Sequence, residues 1–169
     1  MSEYNSILNL AIKAVIRDYT NGRVKFFSEA DLRCVLYSKC ISIMQITGFE
    51  EPFEIYADKS VFKKAIKVDL VLGKEEVLVE LKLEPDYTGV PKPVVFTTVS
   101  SAGASGSIEK GLSKIQDYAA NGKWAHFIMI DEDGKHYKHP FLQDKEWEVI
   151  KLQDKVAYFL HVSYNPNNV

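Results

Sequence analysis

The fold of this chain is decided by two adjoining stretches, Ala65-Ile-Lys-Val-Asp-Leu-Val-Leu72 and Val77-Leu-Val-Glu-Leu-Lys-Leu-Glu84. Each alternates in side-chain character, which is typical of strands with one buried face. The Gly73-Lys-Glu-Glu76 segment between them has the length of a hairpin loop. If that loop is centred between its two middle residues, Asp69 falls opposite Glu80.

The same register predicts a wholly apolar face on the hairpin. Slipping the pairing by one residue would turn one strand's apolar set to the other side, so burial of this face fixes the register. Asp69, Glu80 and Lys82 then share the opposite face. The apolar face comprises Ile66, Val68, Leu70 and Leu72 of the first strand with Val77, Val79, Leu81 and Leu83 of the second.

Two carboxylates directly opposite each other repel, which costs up to about 1 kcal/mol. A divalent cation between Asp69 and Glu80 would reverse the sign of that interaction, and Mg²⁺ commonly binds one or two carboxylates together with water and substrate phosphate. Lys82 would then orient or deprotonate a water, or stabilise charge on a phosphoryl group. The structural alternative is an amphipathic hairpin with a charged outer face, on which Lys67 and Lys82 make diagonal ion pairs to the acids.

The arrangement of these residues resembles the D…(D/E)xK signature of the PD-(D/E)XK, or restriction-endonuclease-like, nuclease superfamily. The resemblance covers Asp69 in one strand and Glu80-Leu81-Lys82 in the next, with Val68 where the family name has proline. It implies that Asp69, Glu80 and the Leu81 carbonyl bind Mg²⁺, for which Mn²⁺ can substitute, and that Lys82 assists the attacking water. It also implies an α/β fold with a restriction-endonuclease-like core, in which helices flank a central mixed β-sheet.

The family often adds an acid from the helix that precedes the hairpin. The segment Ser28–Tyr37 has the pattern of a capped helix, with Ser28 as N-cap and Asp31 in a capping box. Glu29 lies on the Leu32 side of this helix, where its carboxylate can reach the rim of the core, so we include it among the catalytic candidates. The alternative role for both acids is to complement the helix dipole, worth roughly 0.3–1 kcal/mol.

The rest of the chain reads as helices and strands around this hairpin. The loop-like stretch 85–107 leaves directly from the Glu80–Lys82 strand and is predicted to be a mobile flap or a substrate contact. A single domain spanning 1–169 accounts for the length. The predicted elements are helices over 5–19, 28–44 and 107–120 and strands over 53–56, 124–130, 147–151 and 156–163.

Composition favours a soluble cytoplasmic protein with no membrane partner. The 169 residues are 46% hydrophobic, and no apolar run of membrane-spanning length interrupts the N-terminal region. Cys34 and Cys40 lie six residues apart in one predicted helix, a separation of about 9 Å in rise alone, so a disulfide between them is excluded and reduced thiols are expected.

The charge pattern bears on the substrate. A net charge of −2 counts mildly against nucleic-acid binding over the whole surface, yet basic residues cluster near the proposed site. The sequence therefore predicts a Mg²⁺-dependent nuclease acting on nucleic acid, most readily DNA, and leaves a homodimer open. The alternative is a non-catalytic nucleic-acid-binding or assembly module on the same fold. The candidate nucleic-acid contacts are Lys64, Lys67, Lys110, Lys114 and Gln116.

Overall fold

The computed structural model describes residues 2–62, 66–86, 108–139 and 142–166. Within these ranges the chain forms three α-helices and six β-strands. The helices are α1 (Glu3–Thr20), α2 (Glu29–Ile46) and α3 (Ile108–Ala120). The strands are β1 (Ile55–Val61), β2 (Ile66–Leu72), β3 (Val77–Glu84), β4 (Trp124–Asp131), β5 (Trp147–Lys151) and β6 (Val156–Tyr164).

The six strands form one sheet in the order β1-β2-β3-β4-β6-β5. The central neighbours β3 and β4 are parallel, while all other neighbouring pairs are antiparallel. A parallel pair needs a crossover connection, and α3 lies in the one that joins β3 to β4. The predicted mixed α/β architecture, with helices flanking a mixed sheet, is confirmed at this level.

Two hydrophobic cores lie on the two sides of the sheet. The first contains the apolar stripes of α1 and α2, and the second contains the stripe of α3. The stripe on α1 includes six buried apolar residues, and the stripe on α3 includes four. These residues are Ile7, Leu8, Ala11, Ile12, Val15 and Tyr19 in α1, and Ile108, Leu112, Ile115 and Ala119 in α3.

The start of α2 follows the predicted capping chemistry. The Ser28 side chain accepts a hydrogen bond from the Asp31 N–H, and the Asp31 carboxylate accepts one from the Phe27 N–H at 3.0 Å. These bonds satisfy backbone donors that have no partner within the helix. They fix the first turn of α2 and therefore the position of Glu29, the first residue of this helix.

Pairing of β2 with β3 matches the predicted hairpin register. Leu70 pairs with Val79 and Leu72 with Val77, so the residue numbers of each pair sum to 149 as expected. The boundaries of β1 were predicted wrongly: the strand begins at Ile55, not at Phe53, and continues to Val61.

The predicted apolar face is wrong for the first part of β2. Leu70 and Leu72 pack in the α1–α2 core as expected, but Val68 belongs to the α3 core and Ile66 packs against that core. In β1, which pairs with β2 throughout, Ile55 and Val61 are divided between the two cores in the same way. The switch coincides with Asp58, whose positive φ of 50° interrupts the regular pleat opposite Asp69.

Three further predictions concern features outside the sheet. Cys34 and Cys40 are both free thiols, the first exposed and the second buried. In the described part of the chain, no helix combines the length and the apolar character needed to cross a membrane. The predicted flap falls almost entirely on 87–107, which lies outside the described residues.

Candidate functional site

The candidate site lies where β3 is no longer paired with β2. Among the described residues, the ladder between β2 and β3 covers only Leu70–Leu72 and Val77–Val79, whereas β3 pairs with β4 along its full length to Glu84. Backbone donors on the β2 side of the second half of β3 therefore need other partners. We call residues Glu80–Glu84 the open half of β3.

Carboxylate side chains take the place of the missing strand. The Leu81 N–H donates to Asp69 Oδ2 at 2.7 Å, and the Leu83 N–H donates to the Glu29 carboxylate. One acid thus comes from β2 and the other from the first turn of α2. Because the N–H and C=O of a strand residue point to the same side, the Leu81 carbonyl also faces this opening.

Glu80 is the most deeply buried acid of the group, with 3% of its surface exposed. Its carboxylate accepts hydrogen bonds from the Tyr118 hydroxyl and from Lys114 Nζ, each at 2.8 Å, and both partners lie on α3. Burial raises the pKa of the Glu80 carboxyl; the Lys114 hydrogen bond opposes this rise, and the negative charge of Asp69 adds to it. The charge of Asp69 therefore disfavours the ionised form of Glu80.

Lys82 is held against Glu29. Its ammonium lies 3.1 and 3.3 Å from the two oxygens of that carboxylate, and only 8% of the lysine surface is exposed. Burial raises the pKa of the Glu29 carboxyl; the Lys82 ammonium opposes this, and the Asp69 charge again adds to it. The predicted contact between the α2 acid and the hairpin residues is thus present in the structure.

Asp69 interacts electrostatically with both the Glu80–Lys114 pair and the Glu29–Lys82 pair. Besides the Leu81 N–H, its carboxylate has Arg33 Nη1 at 3.6 Å, and Arg33 also pairs with Asp58. Its charge acts on Glu29, Glu80 and the Tyr118 hydroxyl. The three predicted residues of the hairpin and the acid from α2 therefore form one electrostatically connected cluster.

This burial argues against the structural alternative drawn from the sequence. An amphipathic hairpin with a charged outer face would leave Glu80 and Lys82 in water, but both are almost fully buried. Lys82 pairs with α2, not diagonally across the hairpin. Lysine and glutamate are rarely buried unless they are paired, and here each has a partner from a different helix.

The cluster offers oxygen ligands for one hard cation. Among the described residues, no group of three or more His, Cys, Asp or Glu side chains is arranged to hold a metal ion. Asp69, Glu80 and the Leu81 carbonyl nevertheless match the ligand chemistry of Mg²⁺, which takes few protein ligands and keeps several waters. The negative charge of Asp69, which raises the pKa of the Glu80 carboxyl, fits a cation here, because nearby positive charge would favour the ionised form of Glu80.

The predicted nucleic-acid contacts are only partly gathered at the site. Lys114 contacts the site through its hydrogen bond to Glu80, and its ammonium also lies 3.5 Å from the Lys67 carbonyl. Lys67 and Lys110 have exposed side chains. Gln116 does not border the cluster: its amide donates to the Tyr164 hydroxyl at 3.2 Å. Lys64 lies outside the described residues.

Two residues that contact the cluster, Tyr118 and Arg33, are not among the predicted site residues. Tyr118 is 2% exposed and donates a hydrogen bond to Glu80. Its spacing of four from Lys114 places both on one face of α3, and that signal was available. Arg33 likewise follows Glu29 by four residues in α2, but its partner Asp58 lies in a strand whose boundaries were misplaced.

Comparisons of this chain with models of protein families, with curated proteins and with solved structures found no match.

Proposed function

We propose that this chain is a Mg²⁺-dependent nuclease with a restriction-endonuclease-like core that hydrolyses phosphodiester bonds, with DNA as substrate. The observation that supports this most strongly is the convergence of Asp69, Glu80 and Lys82 at the open half of β3. Two acids that repel each other and a buried lysine are an arrangement that folding alone does not require, because apolar residues of similar size would fill the same space at lower cost.

The proposed chemistry is attack of water on phosphorus, with cleavage of the bond to the leaving oxygen. Asp69, Glu80 and the Leu81 carbonyl would hold Mg²⁺, which when bound supplies Lewis-acid stabilisation of charge on the phosphoryl oxygens. Lys82 would orient the water and stabilise the developing negative charge through its ammonium. Glu29, which pairs with that ammonium, would accept a proton from the water.

A second candidate function is a non-catalytic nucleic-acid-binding or assembly module on this fold. The specific observation in its favour is that each of three acids already lies against one of three cations within the protein, with Arg33 shared between Asp69 and Asp58. Glu80 and Lys82 both have hydrogen-bond partners on neighbouring helices. Such a cluster is stable without a metal ion. The six residues are Glu29, Asp69 and Glu80 with Arg33, Lys82 and Lys114.

Cleavage assays distinguish the two functions. Labelled single-stranded, duplex and branched DNA, together with RNA, are incubated with the protein with and without Mg²⁺ or Mn²⁺. We expect cleavage only with the metal, and we expect a Mn²⁺ titration signal that Asp69→Asn abolishes. Asp144→Asn, at a carboxylate with 69% of its side chain exposed, is the matched control. A correctly folded protein that cleaves none of these substrates would exclude the nuclease and leave the binding module.

A further inference from the structure

A cavity of about 420 Å³ opens beside the candidate site. One wall is the segment that leads into α2 and includes Phe27, two residues before Glu29. Another is Asp86, four residues beyond Lys82 on the continuation of β3. Since a chain extends at most about 3.6 Å per residue, the Cα atoms of Phe27 and Glu29 lie within roughly 7 Å, and those of Asp86 and Lys82 within roughly 14 Å. The cavity is therefore one or two nucleotides away from a phosphate held at Lys82.

Aromatic rings line this cavity, and one of them is available for stacking. Tyr19 and Phe26 are buried and stack on each other with ring centroids 5.3 Å apart. Phe27 follows directly and has 48% of its surface exposed, which makes it one of the large apolar side chains left open to solvent among the described residues. Bases of single-stranded nucleic acids stack on exposed aromatic rings of this kind.

The polar wall of the cavity is rigid. Glu132 has only 7% of its side chain exposed, and its carboxylate accepts hydrogen bonds from the Tyr19 hydroxyl at 2.6 Å, Lys155 Nζ at 2.9 Å and the Asp86 N–H at 2.9 Å. Lys155 also pairs with Asp86. These contacts join α1, the end of β3 and the β5–β6 turn, so the shape of the cavity does not depend on a ligand.

The charge of the lining indicates which part of a nucleotide enters. Three acids and two lysines surround the space, so the lining is net negative, which disfavours a phosphate group. A neutral base has no such conflict, and the amino groups of adenine, cytosine and guanine donate hydrogen bonds that carboxylates accept. The charged lining residues are Asp86, Glu132 and Asp154 with Lys25 and Lys155.

We propose that the cavity beside Phe27 receives an unpaired base of the substrate, so that the protein acts on single-stranded or single-stranded-ended nucleic acid and not on continuous duplex. A base stacked inside a duplex cannot enter a side pocket unless it is extruded, which costs a few kcal/mol, whereas an unpaired base enters without that cost. This inference rests on the proposed nuclease function, because the phosphate at Lys82 is what brings a neighbouring base within reach.

The test uses short oligonucleotides that carry 2-aminopurine at one position, as single strands and as blunt duplexes of the same sequence, with the full chain in Ca²⁺. We expect tighter binding of the single strand and a fluorescence change at one or two adjacent positions only. Phe27→Ala should weaken single-strand binding about tenfold, as loss of one stacked base predicts, and change duplex binding less than twofold. Phe27→Tyr should retain binding because it keeps the ring.

The control is Ile46→Ala, at an 84%-exposed position at the other end of α2, which should bind like the wild type. Equal weakening of both substrates by Phe27→Ala, or no weakening of either, would overturn the base pocket. If wild type and Phe27→Ala both cleave blunt duplex as fast as they cleave single strands, the pocket fails and the nuclease stands. If single strands bind through Phe27 but are never cleaved, the nuclease fails and the pocket stands.

Discussion

The two halves of β3 differ in what lies beside them. Val77, Leu78 and Val79 are fully buried and have a strand on each side, β2 and β4. In the open half β4 continues, but the β2 side is covered by the carboxylates of Asp69 and Glu29. Where a strand pairing ends early, backbone donors are left without a strand partner, and the acids that satisfy those donors are thereby brought together at one place.

The two halves also hold their side chains by different forces. In the paired half, stability comes from removing apolar surface from water, at roughly 25 cal/mol per Å². In the open half, Glu80 and Lys82 are buried ions whose desolvation is offset by hydrogen-bonded partners on α2 and α3. We therefore expect substitutions in the first half to change stability and substitutions in the second to change chemistry.

The largest effect on stability is expected in the paired half. Leu78→Ala removes a fully buried side chain and leaves a cavity in the α3 core, which should lower the free energy of unfolding by about 2–5 kcal/mol. Urea denaturation measures this loss, and Val149→Ala, at a half-exposed position in β5, is the control. Cleavage per folded molecule should change little. A loss below 1 kcal/mol would mean that the paired half does not carry the stability assigned to it.

The opposite pattern is expected for Lys82 in the open half. If its ammonium acts on the water or the transition state, Lys82→Ala should lower cleavage by at least about a hundredfold, roughly 3 kcal/mol of barrier, with little change in DNA binding. Lys74→Ala, at a lysine with 90% of its side chain exposed in the hairpin turn, is the matched control. If Lys82 only contacts phosphate, its loss should instead weaken DNA binding. The slope of the logarithm of the binding constant against the logarithm of the salt concentration should then fall by about one unit.

Sequence patterns were sufficient to predict the paired half but not all of the open half. The register of β2 and β3 followed from alternation and from the loop length, both of which are local. Glu29 was recognised because its helix phase placed it at the rim of the core. In contrast, no local pattern indicates that β2 and β3 part after Leu70–Val79, because a strand of alternating character is equally compatible with a full ladder.

The wrong predictions for the faces of β1 and β2 have one physical cause. Asp58 adopts a left-handed conformation, which a polar residue tolerates better than most but which a propensity argument does not foresee. This change reverses the side to which Val61 and Val68 point. Tyr118 shares a face of α3 with Lys114, a spacing visible in the sequence, but its contact with Glu80 and that of Arg33 with Asp58 arise only through the tertiary packing of α2 and α3 on the sheet.

A smaller effect on stability is expected where a carboxylate replaces a strand. Asp69→Ala leaves the Leu81 N–H without its acceptor and should cost about 1.5–3 kcal/mol, the range for hydrogen bonds to charged groups. Asp69→Asn keeps an oxygen that can accept this bond, so it should cost less while still abolishing the metal signal. Hydrogen exchange of the Leu81 amide checks this directly. Unchanged exchange of this amide in Asp69→Ala would show that Asp69 does not substitute for the missing strand.

The smallest effect is a dependence of stability on pH. Because burial raises the pKa of Glu80 above its ordinary value of 4.5, the ionised form is disfavoured in the folded state. The contribution of Glu80 to stability is therefore fully present below about pH 4.5 and is lost as the pH rises through the folded pKa. Glu80→Gln mimics the protonated form and does not titrate. Wild type should lose stability relative to this variant as the pH rises above about 4.5. The exposed turn substitution Glu76→Gln should show no such trend, and a gap between wild type and Glu80→Gln that stays constant with pH would mean that Glu80 is not strained by its charge.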